Sequence, residues 1–232
     1  MERQNLFCAG DNRVTPNEVA RRLAAHGPPG RRTSLSTARG LVPGSMAPRG
    51  DHDLNPDFYD PKQVLVSAAV LVPIIERETG ATLLFTRRTD HLDMHAGQIS
   101  FPGGRVEAGE SISEAALRET EEEVGLPRRH VTLVGQLDTY VTRTGFEVSP
   151  LVGVVRPPFP IVPDSFEVAE VFEVPLNFFL DTRNRAMHSR MYQGRERHFY
   201  AFPFGEYYIW GATAGMLVNL AEVLADGVAA ES

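Results

Sequence analysis

The sequence predicts an α/β fold in which a mixed β-sheet packs between helices, and three observations carry that expectation. Residues 64–72 (VLVSAAVLV) form a nearly continuous apolar run, the pattern of a strand buried on both faces. Shorter strand-like runs follow at 82–87, 98–101, 131–137, 148–155 and 168–174. Helical patterns interrupt them within 104–126 and close the chain at 211–224, so strands and helices are interspersed rather than segregated.

Taken in order, Thr15 and Pro16 open a short helix, with Thr15 as cap, Pro16 at the first position and Gly27 after the end. Its Val19 and Leu23, four apart, form a stripe that can dock on the main domain. Residues 28–50 are rich in Pro, Gly, Ser and Arg, contain no acid and lack apolar periodicity, so a surface loop is expected. Its Arg31, Arg32, Arg39 and Arg49 are expected to be solvated or to meet phosphates. The chain is therefore expected to divide into an N-terminal helix and extension, 1–62, and a main domain, 63–232. Strand 64–72 turns around Glu78, Thr79 and Gly80 into strand 82–87, and strand 98–101 leads into Pro102, Gly103 and Gly104. The four prolines of 157–163 make a rigid loop, and 177–180 a helical turn. Residues 188–192 and 197–202 flank Gln193, Gly194 and Arg195 as a hairpin. In the last helix Met216, Leu217, Leu220 and Leu224 line one face, and Trp210 reads as its anchor in the core.

Composition narrows the function classes. At 232 residues, with 42% hydrophobic and 23% charged side chains, the chain is ordinary for a globular protein. Its net charge of −7 argues against general nucleic-acid binding, which needs a positive footprint. A polyanionic ligand would then require local cations, either metal or clustered Arg. Cys8 is the only cysteine, which suits a reducing compartment. No apolar run approaches a membrane span, and the start MERQNLFCAGD lacks the order of a signal peptide; a cytoplasmic location with no membrane partner is expected.

The chemistry concentrates in 104–126, GRVEAGESISEAALRETEEEVGL. Ala115, Ala116, Leu117 and the acidic run favour a helix, capped by Ser111 or Ser113 and stopped by Gly125. At 100° per residue, Glu119, Glu122 and Glu123 fall within an arc of about 100° on one face. Ala116, Leu117, Thr120 and Val124 fall on another, which faces a core. Three carboxylates on one turn repel one another, whereas a divalent cation turns that repulsion into binding, and hard cations prefer oxygen ligands.

Gly104, Glu110, Arg118, Glu119, Glu122, Glu123, Gly125 and Leu126 match the spacing of the Nudix box, G-x5-E-x7-R-E-U-x-E-E-x-G-U, with U aliphatic. The stretch resembles that family, and Thr120 is its one departure. The resemblance implies an α/β/α sandwich with a loop-helix-loop catalytic motif and metal-dependent hydrolysis of a nucleoside diphosphate linked to a group X. It implies Glu119, Glu122 and Glu123 as ligands of Mg²⁺ or Mn²⁺, with the Gly104 carbonyl added. Arg118 is expected to orient the carboxylates by charge-assisted hydrogen bonds. Glu110 is expected to be largely structural, and Glu107, Glu114 and Glu121 to be solvated. Glu119 is the first choice of general base; Glu167 and Glu170, after the Pro-rich loop, are the alternatives. Homodimers are common in the family.

Upstream, Leu84 to Thr89 (LFTRRT), Gly97 and the run from Phe101 to Gly104 (FPGG) resemble the signature of the coenzyme A pyrophosphatases within that family, L-L-T-x-R-[SA]-x3-R-x3-G-x3-F-P-G-G. Residues 140–146 (YVTRTGF) and 209–214 (IWGATA) also look like segments of this subfamily. The resemblance implies coenzyme A or an acyl derivative as substrate, with 3′,5′-ADP and (acyl-)4′-phosphopantetheine as products. Arg88, which the signature fixes, together with Arg87 and Gly103, is then expected at the substrate. Phe85, Thr89 and Asp93 depart from the pattern, and Asp93 matters most because it puts an acid where a phosphate would meet a cation. ADP-ribose, a dinucleoside polyphosphate or another nucleoside diphosphate-X is the rival substrate, and a nucleotide-sensing module without turnover is the rival class. His91 and His95 lie in the same loop region but are expected not to bind ligand.

Overall fold

The computed structural model describes residues 14–26, 49–58, 60, 62–91 and 97–229. Cys8, Arg31, Arg32, Arg39, Asp93 and His95 lie outside the described residues. The elements are α1 (Pro16–His26), β1 (Arg49–Gly50), β2 (Val66–Ile75), β3 (Thr82–Arg88), β4 (Ile99–Ser100), β5 (Gly103–Arg105), α2 (Ile112–Val124), β6 (Val131–Gln136), β7 (Tyr140–Val141), β8 (Phe146–Val155), β9 (Val168–Pro175), α3 (Leu176–Leu180), β10 (Ala186–Tyr192), β11 (Arg195–Phe204), β12 (Tyr207–Trp210) and α4 (Ala212–Ala229).

The apolar run of β2 makes the central strand. It lies parallel to β8 along its whole length, from Val66 opposite Phe146 to Ile75 opposite Val155. Its other edge pairs antiparallel with β5 at 68–70 and with β3 at 74–75. β9 lies antiparallel to β3, β6 and β7 pair with β8, and β1 runs parallel to β7. The result is a mixed sheet of nine described strands.

Side-chain alternation sends the two faces of this sheet to different layers. On one face Ala68, Val72, Ile74, Leu83 and Phe85 pack against α1 through Val19 and Leu23, α3 through Phe179, and α4 through Leu217 and Leu220. On the other, Ala69, Ile75 and Leu84 pack against Ala115, Ala116 and Val124 of α2 and Leu126 beyond it. This is the α/β/α sandwich. Phe85 is fully buried and stacks on Phe101 and Phe172 with ring centroids 4.9 and 5.7 Å apart. Its departure from the upstream pattern is therefore a matter of packing.

Three features differ from the sequence reading. Residues 207–210 form a strand, β12, that extends the expected β10–β11 hairpin into a separate antiparallel sheet. Arg49 and Gly50, expected in a surface loop, form β1 and join the sheet, whereas α1 follows the sequence reading, capped by Thr15, whose Oγ1 accepts from the Glu18 N–H at 3.2 Å, and docked through Val19 and Leu23. Arg49 is neither solvated nor free for a phosphate. It is 5% exposed and donates to Asp138 at 2.9 Å and to Glu222 of α4 at 2.5 Å, while Asn219 donates to the same Asp138 carboxylate. Its partners lie about 90 and 170 residues away, so no local pattern announces them.

Candidate active site

Two elements meet to form the site. α2 begins at Ser111, whose side chain accepts from the Glu114 N–H while the Glu114 carboxylate accepts from the Ser111 N–H, a reciprocal cap. It ends at Gly125, whose φ of 65° is the left-handed conformation glycine tolerates best. Ala115 and Ala116, both fully buried, let the helix backbone approach the sheet closely. Thr120 is buried beside them, its hydroxyl donating to the Ala116 carbonyl at 2.6 Å. The second element is β5, where Gly103 and Gly104 lie opposite Val70 and Ala69 of the central strand. A Cβ on Gly104 would sit 2.4 Å from the Glu119 carboxylate, so only glycine lets strand and carboxylate share this space.

Arg118 organises the acids. Its Nε and Nη2 donate to Glu110 at 2.8 and 3.0 Å, its Nη1 to Glu119 at 2.9 Å and Glu122 at 3.0 Å, and its Nη2 to the Arg105 carbonyl at 3.1 Å. Five bonds use all five donors of the guanidinium. The Glu110 carboxyl is held below its ordinary pKa by the Arg118 fork and by the Glu107 N–H. Glu114 and Glu121, expected to be solvated, have partners instead: Glu114 in the helix cap and Glu121 with Arg128, whose backbone N–H it accepts at 2.7 Å.

Glu123 turns inward. It is 7% exposed, accepts from the Gly103 N–H at 3.1 Å and lies 3.8 Å from Arg88 Nη1. Burial pushes its carboxyl up to about 7 despite the Gly103 bond and Arg88. Burial also raises Glu119, partly offset by Arg118 and reinforced by Glu122 and Glu167. Glu167 stands 4.0 Å from Arg88 Nη2 and adds its charge to both acids. Thr89 fixes that neighbourhood, its hydroxyl donating to the Phe166 carbonyl and its N–H to the Glu167 carbonyl.

Of the residues singled out from sequence, Gly103, Gly104, Arg88, Arg118, Glu119, Glu122, Glu123 and Glu167 come together. Arg87 and Glu170 do not. Successive strand residues face opposite ways, and Arg87 pairs with Glu170 at 3.1 Å on the far face, where Tyr207 donates to Glu170 at 2.6 Å. His91 packs against the Phe166 ring, centroids 4.9 Å apart.

The acidic side chains of this cluster offer oxygens as ligand atoms, and burial disfavours the charge on Glu119 and Glu123, a cost that a hard divalent cation would offset. Among the described residues no three His, Cys, Asp or Glu side chains converge on one ion as they stand. Arg118 Nη1 bridges Glu119 and Glu122, so a cation taking both carboxylates would compete with it.

A family model described as the NUDIX domain matches residues 66–193. The chain belongs to the Nudix hydrolase family. The Nudix hydrolase NudL of Cronobacter sakazakii (strain ATCC BAA-894), itself uncharacterized, is 41% identical over 164 residues, 66% of this chain and 80% of the relative. Its counterpart in Escherichia coli O7:K1 is 39% identical over 162 residues, with the same coverage. Among solved structures, the Nudix hydrolase RenU of M. smegmatis is 18% identical, with a TM-score of 0.47 over 72% of this chain and 96% of that one. Nudix hydrolases act on nucleoside diphosphates linked to a second group and typically use divalent metal ions.

Sequence reasoning missed a second feature of this Nudix chain. A cavity of about 340 Å³ is lined by Gln98, Thr142, Arg143, Thr144, Arg190 and Trp210, among others. Trp210 is half-buried rather than a core anchor, with Arg190 5.1 Å from its ring centre. The signal for this cavity lay in the 140–146 and 209–214 segments, which contain no Asp, Glu, His or Cys to mark them as a site.

Proposed function

We propose that this Nudix hydrolase cleaves the diphosphate of coenzyme A or its acyl derivatives in the cytoplasm, releasing 3′,5′-ADP and (acyl-)4′-phosphopantetheine. The observation that supports this most is Arg88. The cation fixed by the coenzyme A signature projects from β3 onto the α2 face, between Glu123 and Glu167, where a diphosphate oxygen would meet it.

Glu119, Glu122 and Glu123 with the Gly104 carbonyl would hold Mg²⁺ or Mn²⁺, which when bound neutralises diphosphate oxygens and lowers the pKa of the attacking water. Arg118 fixes the Glu119 and Glu122 carboxylates against Glu110, so their orientation is set before substrate arrives. Glu119 is the proton acceptor of first choice, because burial raises its basicity. Glu167 is the alternative, since it shares the cluster, whereas Glu170 is bound to Tyr207 and Arg87. Gly103 presents its N–H to Glu123, and the absence of a Cβ, which would lie 2.3 Å from the Ala69 carbonyl oxygen, lets β5 lie against the central strand.

The test is product analysis with Mg²⁺ or Mn²⁺ on coenzyme A, acetyl-coenzyme A, ADP-ribose and a dinucleoside tetraphosphate, with Glu122→Gln as control. Fastest formation of 3′,5′-ADP from coenzyme A, lost in the variant, is the expected result. Preference for ADP-ribose or the tetraphosphate overturns the substrate. Nucleotide binding without turnover of any of the four overturns the enzyme reading in favour of a sensor.

A further inference from the structure

The 340 Å³ cavity opens where the segment before β4, the β7–β8 loop and the three-stranded sheet meet. We propose that it is a phosphomonoester subsite, which seats the phosphate on the end of the substrate remote from the diphosphate under attack. This rests on the coenzyme A reading, whose 3′-phosphate is such a group.

Charge is the first argument. The chain carries a net −7, yet this cavity has three guanidinium groups in its wall, those of Arg143, Arg190 and Arg197. Its one described carboxylate, Asp51, is already committed. It accepts from Arg197 Nη2, the Arg143 N–H and the Tyr140 hydroxyl, each at 3.0 Å. Among the described residues no carboxylate lies within 4 Å of the Arg143 or Arg190 guanidinium. Arg190 moreover sits directly opposite Arg197 in the β10–β11 ladder. Asp51 already offsets the Arg197 charge, so the positive charge left for an anion is that of Arg143 and Arg190.

The second argument is positioning. The Arg143 guanidinium lies 4.3 Å from the Tyr192 ring centre and donates to its hydroxyl at 3.0 Å, and its Nε is buried with no hydrogen-bond partner. Arg190 is held over Trp210. Two ring-supported guanidiniums lose little freedom on binding an anion. The hydroxyls of Thr142 and Thr144, 3.0 Å apart, add donors between them. Forked cations plus hydroxyls suit the three terminal oxygens of a phosphomonoester.

Reach is the third. Gln98 in the cavity wall precedes Gly104 by six residues, and extended chain at about 3.3 Å per residue limits that separation to ~20 Å. The β7–β8 loop also borders β2 and β5, since the Val66 N–H donates to the Gly145 carbonyl and the Arg105 guanidinium lies 5.6 Å from the Phe146 ring centre. A substrate with an extended arm spans both sites.

Trp210 is the only tryptophan in the chain and lines this cavity, so its fluorescence is a probe placed at the proposed site. The experiment titrates the full chain, without metal, with 3′,5′-ADP and with 5′-AMP, following Trp210 emission. The expected result is a change in emission, with 3′,5′-ADP bound at least tenfold more tightly than 5′-AMP. Arg190→Gln, at an exposed position, should erase that preference, and Arg190→Lys should retain part of it; Arg143→Gln is the second variant. Equal affinity for the two nucleotides, unchanged Trp210 emission, or a preference that survives both Gln variants would overturn the proposal. The substrate reading fails separately: a 3′-phosphate preference without coenzyme A hydrolysis keeps the subsite and removes the substrate. Hydrolysis without the preference does the reverse.

Discussion

The Cα of Gly104 faces the carboxylate of Glu119 so closely that a methyl group added there would lie 2.4 Å from its Cδ. Gly104→Ala should therefore leave β5 paired with β2 but push Glu119 aside. A displacement of about 1 Å in a reacting group costs on the order of 10²-fold in rate. The expected outcome is a loss of that size in kcat at saturating metal, with the thermal midpoint moved only slightly. A kcat within twofold of the parent would mean that the position of Glu119 does not limit the chemistry.

Arg118→Lys tests whether charge alone suffices. An ammonium has three donors on one atom and cannot fork onto Glu110 while bridging Glu119 and Glu122. We expect kcat/KM to fall by at least ~10-fold, with a smaller change in stability, because most of these groups are partly solvated. Full activity in the Lys variant would reduce Arg118 to a counter-charge.

The buried Glu123 makes the metal-free protein sensitive to pH. Its folded pKa of about 7 lies above the 4.5 of an ordinary glutamate, chiefly because of burial. Protons are bound more tightly in the folded state, so the associated stability is fully present below 4.5 and is lost as pH rises through 7. Urea midpoints measured without metal should fall between pH 5 and 8, and Glu123→Gln should flatten that slope. A slope identical in the variant would place the origin elsewhere.

Arg49→Ala should be among the most damaging substitutions outside the catalytic cluster. It would remove the Arg49 cation from Asp138, whose side chain is 1% exposed and keeps Asn219 as a donor, and from Glu222 in a part-buried site. Removing one partner of a buried pair costs about 3–5 kcal/mol. Chemical denaturation measures this directly, and a loss below ~1 kcal/mol would contradict the burial described.

Glu167→Gln and Glu170→Gln should separate by face. Glu167 acts on Glu119 and Glu123 through its charge, whereas Glu170 is engaged by Arg87 and Tyr207 on the other side of the sheet. The Glu167 variant should change the pH profile of kcat, and the Glu170 variant should change it less. The reverse order would move the proton acceptor to the far face.

The fold and the box were legible for a physical reason: both rest on local periodicity. The apolar run of β2 and the spacing of Arg118, Glu119, Glu122 and Glu123 are properties of short windows, and the structure keeps them. Strand alternation already put Arg87 and Arg88 on opposite faces, but only their partners reveal which face holds the acids. Hidden from sequence were relations across long separations, such as Arg49 with Glu222 or Arg143 with Tyr192. Short strands such as Gly103–Arg105 and Tyr140–Val141 escaped because two or three residues carry no period of their own.

The pairing of Gly103–Arg105 with the middle of the central strand has a consequence for motion. The peptide plane that offers the Gly104 carbonyl is stitched to a strand fully paired with β8. Amide exchange there should follow opening of the sheet core rather than loop breathing. The proposed metal-holding carbonyl would then share the rigidity of the sheet core, and adaptation to different substrates would fall to the periphery.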